Sequence, residues 1–181
     1  MKKVTYNGLT FKQYISNENI IKRVKELADE ISRDCAGTCP LFLCVLNGAF
    51  AFAADLFRAT EIDAEIAFIR LKSYSGTGST GNVKEITGLT EDITGRTVII
   101  VEDIVDTGRT MAKLIEDLKT KNPAEVKIAT LLYKPDSVEC NLKLDYVGFP
   151  IPSEFIIGYG LDLDEKARNL PDIWVVDKDA Q

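Results

Sequence analysis

A chain of 181 residues fits one domain with a sizeable core, and 45 % apolar and 28 % charged residues are ordinary for a soluble globular protein. A net charge of -6 argues against a general polyanion binder, yet leaves room for a local anion pocket built from backbone N–H groups. Histidine is absent, which excludes Ser-His-Asp and Cys-His nucleophile systems; acid–base work falls to carboxylates, Lys, Tyr or the substrate, and a metal site would be oxygen-rich and suited to magnesium.

The N-terminus carries charge but no apolar stretch of the kind a signal peptide needs, and no apolar run approaches the ~20 residues of a membrane span. A cytoplasmic protein is expected. Ser16 is placed as the N-cap of a helix from Asn17, with Ile20, Ile21, Val24, Leu27, Ala28 and Ile31 on one face. Leu41-Phe42-Leu43-Cys44-Val45-Leu46 reads as a strand covered on both faces. After Gly48, Ala49, Phe52, Ala53, Leu56 and Phe57 mark a second helix face, and residues 64–71 read as another strand. The spacing of Cys35, Cys39 and Cys44 matches no common zinc pattern, so these and Cys140 are read as reduced structural thiols.

From residue 73 to 95 the chain is rich in Gly, Ser and Thr and reads as a mobile excursion or two-stranded flap. Gly76-Thr77-Gly78-Ser79-Thr80-Gly81 matches G-x-G-x-x-G, but strand-like alternation and Gly88 follow it where a dinucleotide site requires a helix. Residues 97–101 form a strong buried strand, Met111, Leu114, Ile115 and Leu118 the inward face of a helix, and residues 126–132 the next strand. This alternation predicts an α/β fold with a mostly parallel central sheet flanked by helices. The tail, about 134–181, holds short β-prone runs and is read as a small subdomain of one single domain spanning 1–181.

The chemistry is concentrated where the strand at 97–101 ends: Glu102-Asp103-Ile104-Val105-Asp106-Thr107-Gly108-Arg109-Thr110, leading into a helix. Ligands of open α/β sheets bind beyond the carboxyl ends of strands, and a Thr/Gly turn at a helix N-terminus offers N–H groups, hydroxyls and a favourable dipole to a phosphate. Adjacent carboxylates suit the vicinal hydroxyls of a ribose, directly or through a divalent cation. The bland alternative makes Asp106 and Thr107 helix caps and Glu102 and Asp103 solvated acids. A cap needs one such residue, not three acids plus a Thr-Gly-x-Thr turn.

This string resembles the phosphoribosyl-pyrophosphate motif of the type I phosphoribosyltransferases. More narrowly, the chain is similar to the hypoxanthine-guanine phosphoribosyltransferases through Leu46-Asn47-Gly48-Ala49, Arg70-Leu71-Lys72-Ser73-Tyr74, Ser79-Thr80-Gly81, Leu131-Leu132-Tyr133-Lys134, Val147-Gly148-Phe149 and Phe155-Ile156-Ile157-Gly158-Tyr159-Gly160-Leu161-Asp162. The resemblance implies that family's fold, with a hood formed mainly by residues 134–181, the N-terminal segment as a further contributor, and a flexible catalytic flap. It implies that Glu102 and Asp103 hold the ribose hydroxyls and metal, and that Asp106 is the acid–base group at purine N7. Thr107, Gly108, Arg109 and Thr110 would cradle the 5′-phosphate, while Asn47, Gly48 and Arg168 would meet pyrophosphate. Lys134 would bind the purine 6-oxygen, Phe155 would stack on the ring, and the Ile156 backbone would read its edge. Asp162 would ligate a second magnesium, and Ser73 and Tyr74 would lie on a loop closing over the reacting centre.

Two departures stand out. Relatives commonly have Lys or Arg before the glycine of the first loop, where this chain has Asn47, so a charge contribution is missing there. Pro135-Asp136-Ser137-Val138 lacks the basic residues that some relatives carry after the lysine. The implied reaction is purine salvage: phosphoribosyl pyrophosphate and a 6-oxopurine give the nucleoside 5′-monophosphate, with Mg2+ as cofactor, in a homodimer or homotetramer without nucleic-acid or membrane partners. Two alternatives compete. A receiver-like signalling domain would begin with the acidic strand, whereas here about half the chain precedes it; a regulator of the same fold that senses phosphoribosyl pyrophosphate and binds nucleic acid would carry a basic stripe.

Overall fold

The computed structural model describes residues 2–73 and 84–180, with the side chains of 72–73 and 84–87 outside the description. In chain order the elements are β1 (Lys3–Tyr6), β2 (Leu9–Ile15), α1 (Asn17–Asp34), β3 (Leu41–Leu46), α2 (Phe50–Ala59), β4 (Glu65–Ser73), β5 (Lys84–Thr87), β6 (Thr97–Val105), α3 (Arg109–Lys119), β7 (Glu125–Tyr133), β8 (Tyr146–Pro150), β9 (Ile156–Ile157) and β10 (Ile173–Val176), with two short 3-10 turns near residues 136 and 179.

Six strands form the large sheet in the order β5-β4-β3-β6-β7-β8. From β4 to β8 the pairing is parallel, and β5 joins β4 antiparallel, Arg70 opposite Thr87 and Ser73 opposite Lys84. The period-two alternation of β3 and β6 splits their side chains between two layers. Phe42, Cys44, Ile99 and Val101 pack with α1 and α2, while Leu41, Leu43, Val98 and Ile100 pack with Met111, Leu114 and Leu118 of α3. Residues buried on both faces explain why these strands are near-continuous apolar runs.

Ser16 caps α1 as expected, its hydroxyl accepting from the Asn19 N–H at 3.3 Å. Ile20, Val24, Leu27, Ala28 and Ile31 are buried, but Ile21 is 41 % exposed: it lies one step off the inward stripe, on the flank of the helix. The strand expected at 97–101 runs on to Val105, so Glu102 and Asp103 sit inside β6 rather than past its end.

A second sheet, ordered β1-β2-β10-β9 and antiparallel, covers Phe11, Ile157, Ala167 and Trp174. The tail expected to form one subdomain is therefore divided. Tyr146–Pro150 extends the large sheet beside β7, whereas β9 and β10 pair with the N-terminal hairpin. Burial decides the split: Tyr146 is 2 % exposed against α1, where its hydroxyl donates to Asp34.

Candidate active site

The phosphate turn grows out of β6. Its alternation sends Glu102 and Asp103 to opposite faces. Glu102 lines a cavity of about 260 Å3 together with Asp106, Thr107, Gly108, Thr110 and Leu71 of β4. Asp103 turns the other way, against the Gly48 backbone, where a β-carbon on residue 48 would overlap its carboxylate. The Ile104 N–H donates to Asp103 Oδ1 at 3.0 Å and fixes that carboxylate. Both acids also act on buried Cys44, whose thiol is pushed up to about 12 by burial first and then by Glu102 and Asp103.

Gly108 takes a left-handed φ of 78° at the start of α3, and no side chain caps the helix. Asp106 and Thr107 are thus not caps. Gly108 also packs closely: a β-carbon there would come 2.9 Å from Cys140 Sγ. The Thr107 carbonyl accepts from the Glu139 N–H at 3.1 Å, and Glu139 pairs with the Arg109 guanidinium. Arg109 is 76 % exposed and directed at Glu139, so what it brings to the turn is its backbone N–H, one of the first amides of α3.

Lys134 is the residue that follows β7. Its Nζ lies 2.9 Å from Asp106 Oδ2, with Lys134 partly buried and Asp106 half exposed. The pairing spans 28 residues and follows from β6 and β7 being adjacent, with Val105 opposite Tyr133. Two contacts bring the segment carrying Phe155 alongside: the Ile151 N–H donates to the Tyr133 carbonyl at 2.8 Å, and the Ser137 and Ser153 hydroxyls are 2.5 Å apart. Phe155 is 47 % exposed, its ring tilted against Phe11 at 6.1 Å. Ile156 is in register with Val175, and β9 is an edge strand, which keeps its outer backbone edge clear of sheet pairing.

The third corner is built from close backbone approach. A β-carbon on Gly160, whose φ is 100°, would overlap the Gly48 carbonyl. Arg168 donates through Nη1 to the Gly160 carbonyl at 2.8 Å and pairs through Nη2 with Asp162 at 2.8 Å and Glu165 at 3.0 Å. Tyr159 anchors this loop to α2 through its hydroxyl, 2.6 Å from Asp55; burial, then that hydrogen bond, pushes the phenol pKa up. Asn47 follows a cis peptide and accepts from Arg70 Nη2 at 3.0 Å. Gly48 thus links Asp103 to Gly160, and Arg168 links Gly160 to Asp162. Gly160 and Arg70 were given no role in the sequence reading; the paired glycines flanking Tyr159 were the available signal for the first. Ser73 closes β4 in register with Lys84, and Tyr74 and residues 75–83 of the glycine excursion fall outside the described residues.

Glu102, Asp103 and Asp162 supply carboxylate oxygens, the donor type magnesium takes. Among the described residues, no three acidic or other ligating side chains are close enough to hold a metal unaided. This donor set fits a hydrated cation that draws further oxygens from a phosphate ligand. Among the described residues, no helix is long and apolar enough to cross a membrane.

The family model of the phosphoribosyl transferase domain matches residues 10–164, and the chain belongs to that family. Its curated relatives include the hypoxanthine-guanine phosphoribosyltransferase of Streptococcus thermophilus, 44 % identical over 89 % of this chain and 90 % of the relative. The enzyme of the same description from Bacillus subtilis is 42 % identical over 91 % of this chain and 92 % of its own. A crystal structure of a hypoxanthine-guanine phosphoribosyltransferase from Bacillus anthracis superimposes with a TM-score of 0.86 at 42 % identity, covering 92 % of this chain and 98 % of that one. The fold is that of the type I phosphoribosyltransferases, and the chain is a phosphoribosyltransferase of purine salvage.

Proposed function

We propose that the chain transfers the 5-phosphoribosyl group from phosphoribosyl pyrophosphate to N9 of hypoxanthine or guanine, giving IMP or GMP and pyrophosphate. The observation that carries this reading is the Lys134–Asp106 pair beside the phosphate turn. N7 and O6 lie side by side on one edge of a 6-oxopurine, so a lysine and an aspartate in contact match both atoms at once. Lys134 donates to O6, and Asp106 shares a proton with N7 while N9 forms its bond to ribose C1 and the pyrophosphate oxygen leaves. Charge on the ring then follows the forming bond. Phe155 offers its exposed face to the purine, and the Ile156 backbone its edge.

The turn from Thr107 to Thr110 holds the 5′-phosphate, with Glu102 and Asp103 on the ribose hydroxyls. Gly48, Arg168 and Asp162 face the pyrophosphate. Magnesium is the cofactor of this reading: Glu102 and Asp103 would hold one ion and Asp162 a second, and the metal would neutralise the leaving group. Ser73 and Tyr74 belong to the loop that closes over the centre, and the four-stranded sheet is read as the hood of a single domain. A cytoplasmic homodimer or homotetramer completes the proposal. The relatives carry transferase names, which favours this reading over a nucleic-acid-binding regulator.

The test is an assay with phosphoribosyl pyrophosphate, magnesium and, in turn, hypoxanthine, guanine, xanthine, adenine and orotate. Nucleotide is expected with hypoxanthine or guanine. Turnover with adenine or orotate alone would overturn the base assignment, and none with any base would overturn the activity.

A further inference from the structure

We propose that Arg70 is the diphosphate-binding cation of this site, held in place by the Asn47 carboxamide and standing in for the charge that the first loop lacks. The inference rests on the phosphoribosyltransferase reading and adds a binding residue to it.

Arg70 lies on β4 directly opposite Leu46, the last residue of β3. Its Nη2 donates to Asn47 Oδ1 at 3.0 Å. Asn47 leads into Gly48, whose backbone touches both the Asp103 carboxylate and Gly160, the residue that receives Arg168. The guanidinium is therefore tethered to the corner where Asp103, Asp162 and Arg168 converge.

Charge balance separates Arg70 from its neighbours. Lys134 is paired with Asp106, Arg109 with Glu139, and Arg168 with Asp162 and Glu165. Among the described residues no ion pair joins a carboxylate to Arg70, whose side-chain hydrogen bond is to Asn47, and the residue is exposed. A guanidinium has five N–H donors in a planar fork, so one spent on Asn47 leaves others for phosphate oxygens, two at a time. The neutral side chain at 47 is what makes this possible: an amide oxygen accepts from Arg70, whereas an ammonium in its place would repel it. The ligand class is a diphosphate, both that of the sugar diphosphate and the inorganic product.

The test uses the purified full chain with magnesium and reads calorimetric binding of inorganic pyrophosphate and, separately, of IMP. Arg70→Gln should weaken pyrophosphate binding about tenfold or more, the scale of a lost charge-assisted hydrogen bond, while leaving IMP binding within about twofold. Arg70→Lys should fall between, and Asn47→Lys added to Arg70→Gln should recover part of the loss by returning a cation to the corner. Unchanged pyrophosphate binding in Arg70→Gln would overturn the proposal, as would an equal loss of pyrophosphate and IMP binding. Pyrophosphate binding is read without turnover, so a wild type that binds it yet forms no nucleotide would overturn the transferase activity alone.

Discussion

Lys134 Nζ and Asp106 Oδ2 stand 2.9 Å apart, joining the end of β7 to the phosphate turn after β6. The pair gives the site an internal charge balance, the partly buried lysine having a half-exposed carboxylate as its counter-ion. In the proposed reaction, the donor to a 6-oxygen and the acid–base group for N7 are then neighbours. The two residues are consequently expected to fail in different ways.

Asp106→Asn removes the group proposed to share a proton with N7 but keeps the shape of the turn. General acid–base help is typically worth ~10²–10⁴-fold, so kcat should fall by about that factor. Binding of phosphoribosyl pyrophosphate should persist, because the turn's amides are unaltered. Steady-state kinetics together with equilibrium binding of the sugar diphosphate checks both; a normal kcat would remove Asp106 from the chemistry.

Lys134→Gln keeps a donor of similar length but loses the charge and leaves Asp106 unpaired. A hydrogen bond to a charged group is worth about 1.5–3 kcal/mol, so KM for hypoxanthine or guanine should rise by roughly 10–100-fold. The dissociation constant for phosphoribosyl pyrophosphate should change little. An unaltered KM for the base would refute the recognition role.

The large sheet and its helix faces were legible because they are local: apolar runs for strands covered on both sides, and 3.6-residue stripes such as Met111, Leu114 and Leu118. The phosphate turn was legible because acids, Thr and Gly fall within ten consecutive residues. What was not legible depends on contacts between distant segments. The Lys134–Asp106 and Arg109–Glu139 pairs could not be read from the sequence, because their members lie 28 and 30 positions apart. The second sheet was hidden because β9 has only two residues and because β10 pairs with a hairpin at the opposite end of the chain.

Asp177 shows what holds that second sheet together. It is 3 % exposed and pairs with Lys3 of β1 at 2.7 Å and Lys12 of β2 at 3.4 Å, while its N–H donates to the Thr10 carbonyl. The hydrogen bond from Lys3 is the main reason its carboxyl pKa is held below the usual range. A depressed carboxyl stabilises the fold fully above its unfolded pKa, about 3.9, and the contribution fades as pH falls through the lower folded value. Asp177→Asn should therefore lower Tm at neutral pH, and the gap from wild type should close on acidification below about pH 4. Melting curves across that range decide it; a gap independent of pH would mean the charge contributes nothing.

Gly160 and Gly95 form a matched pair for testing the contact that closes the pyrophosphate corner. Both have positive φ, 100° and 70°, so alanine at either meets the left-handed backbone penalty, about 1–2 kcal/mol. Around Gly95, however, a β-carbon would find no atom within 4 Å, whereas at Gly160 it would overlap the Gly48 carbonyl. Gly95→Ala should lower stability modestly and leave pyrophosphate binding intact. Gly160→Ala should also displace the Gly48 backbone from its place beside Asp103, so pyrophosphate binding should weaken beyond what the stability change predicts. Comparing Tm and pyrophosphate affinity for the two variants separates backbone strain from displacement of the loop. Equal affinity in both would show that the Gly48–Gly160 contact is a packing detail with no part in holding the ligand.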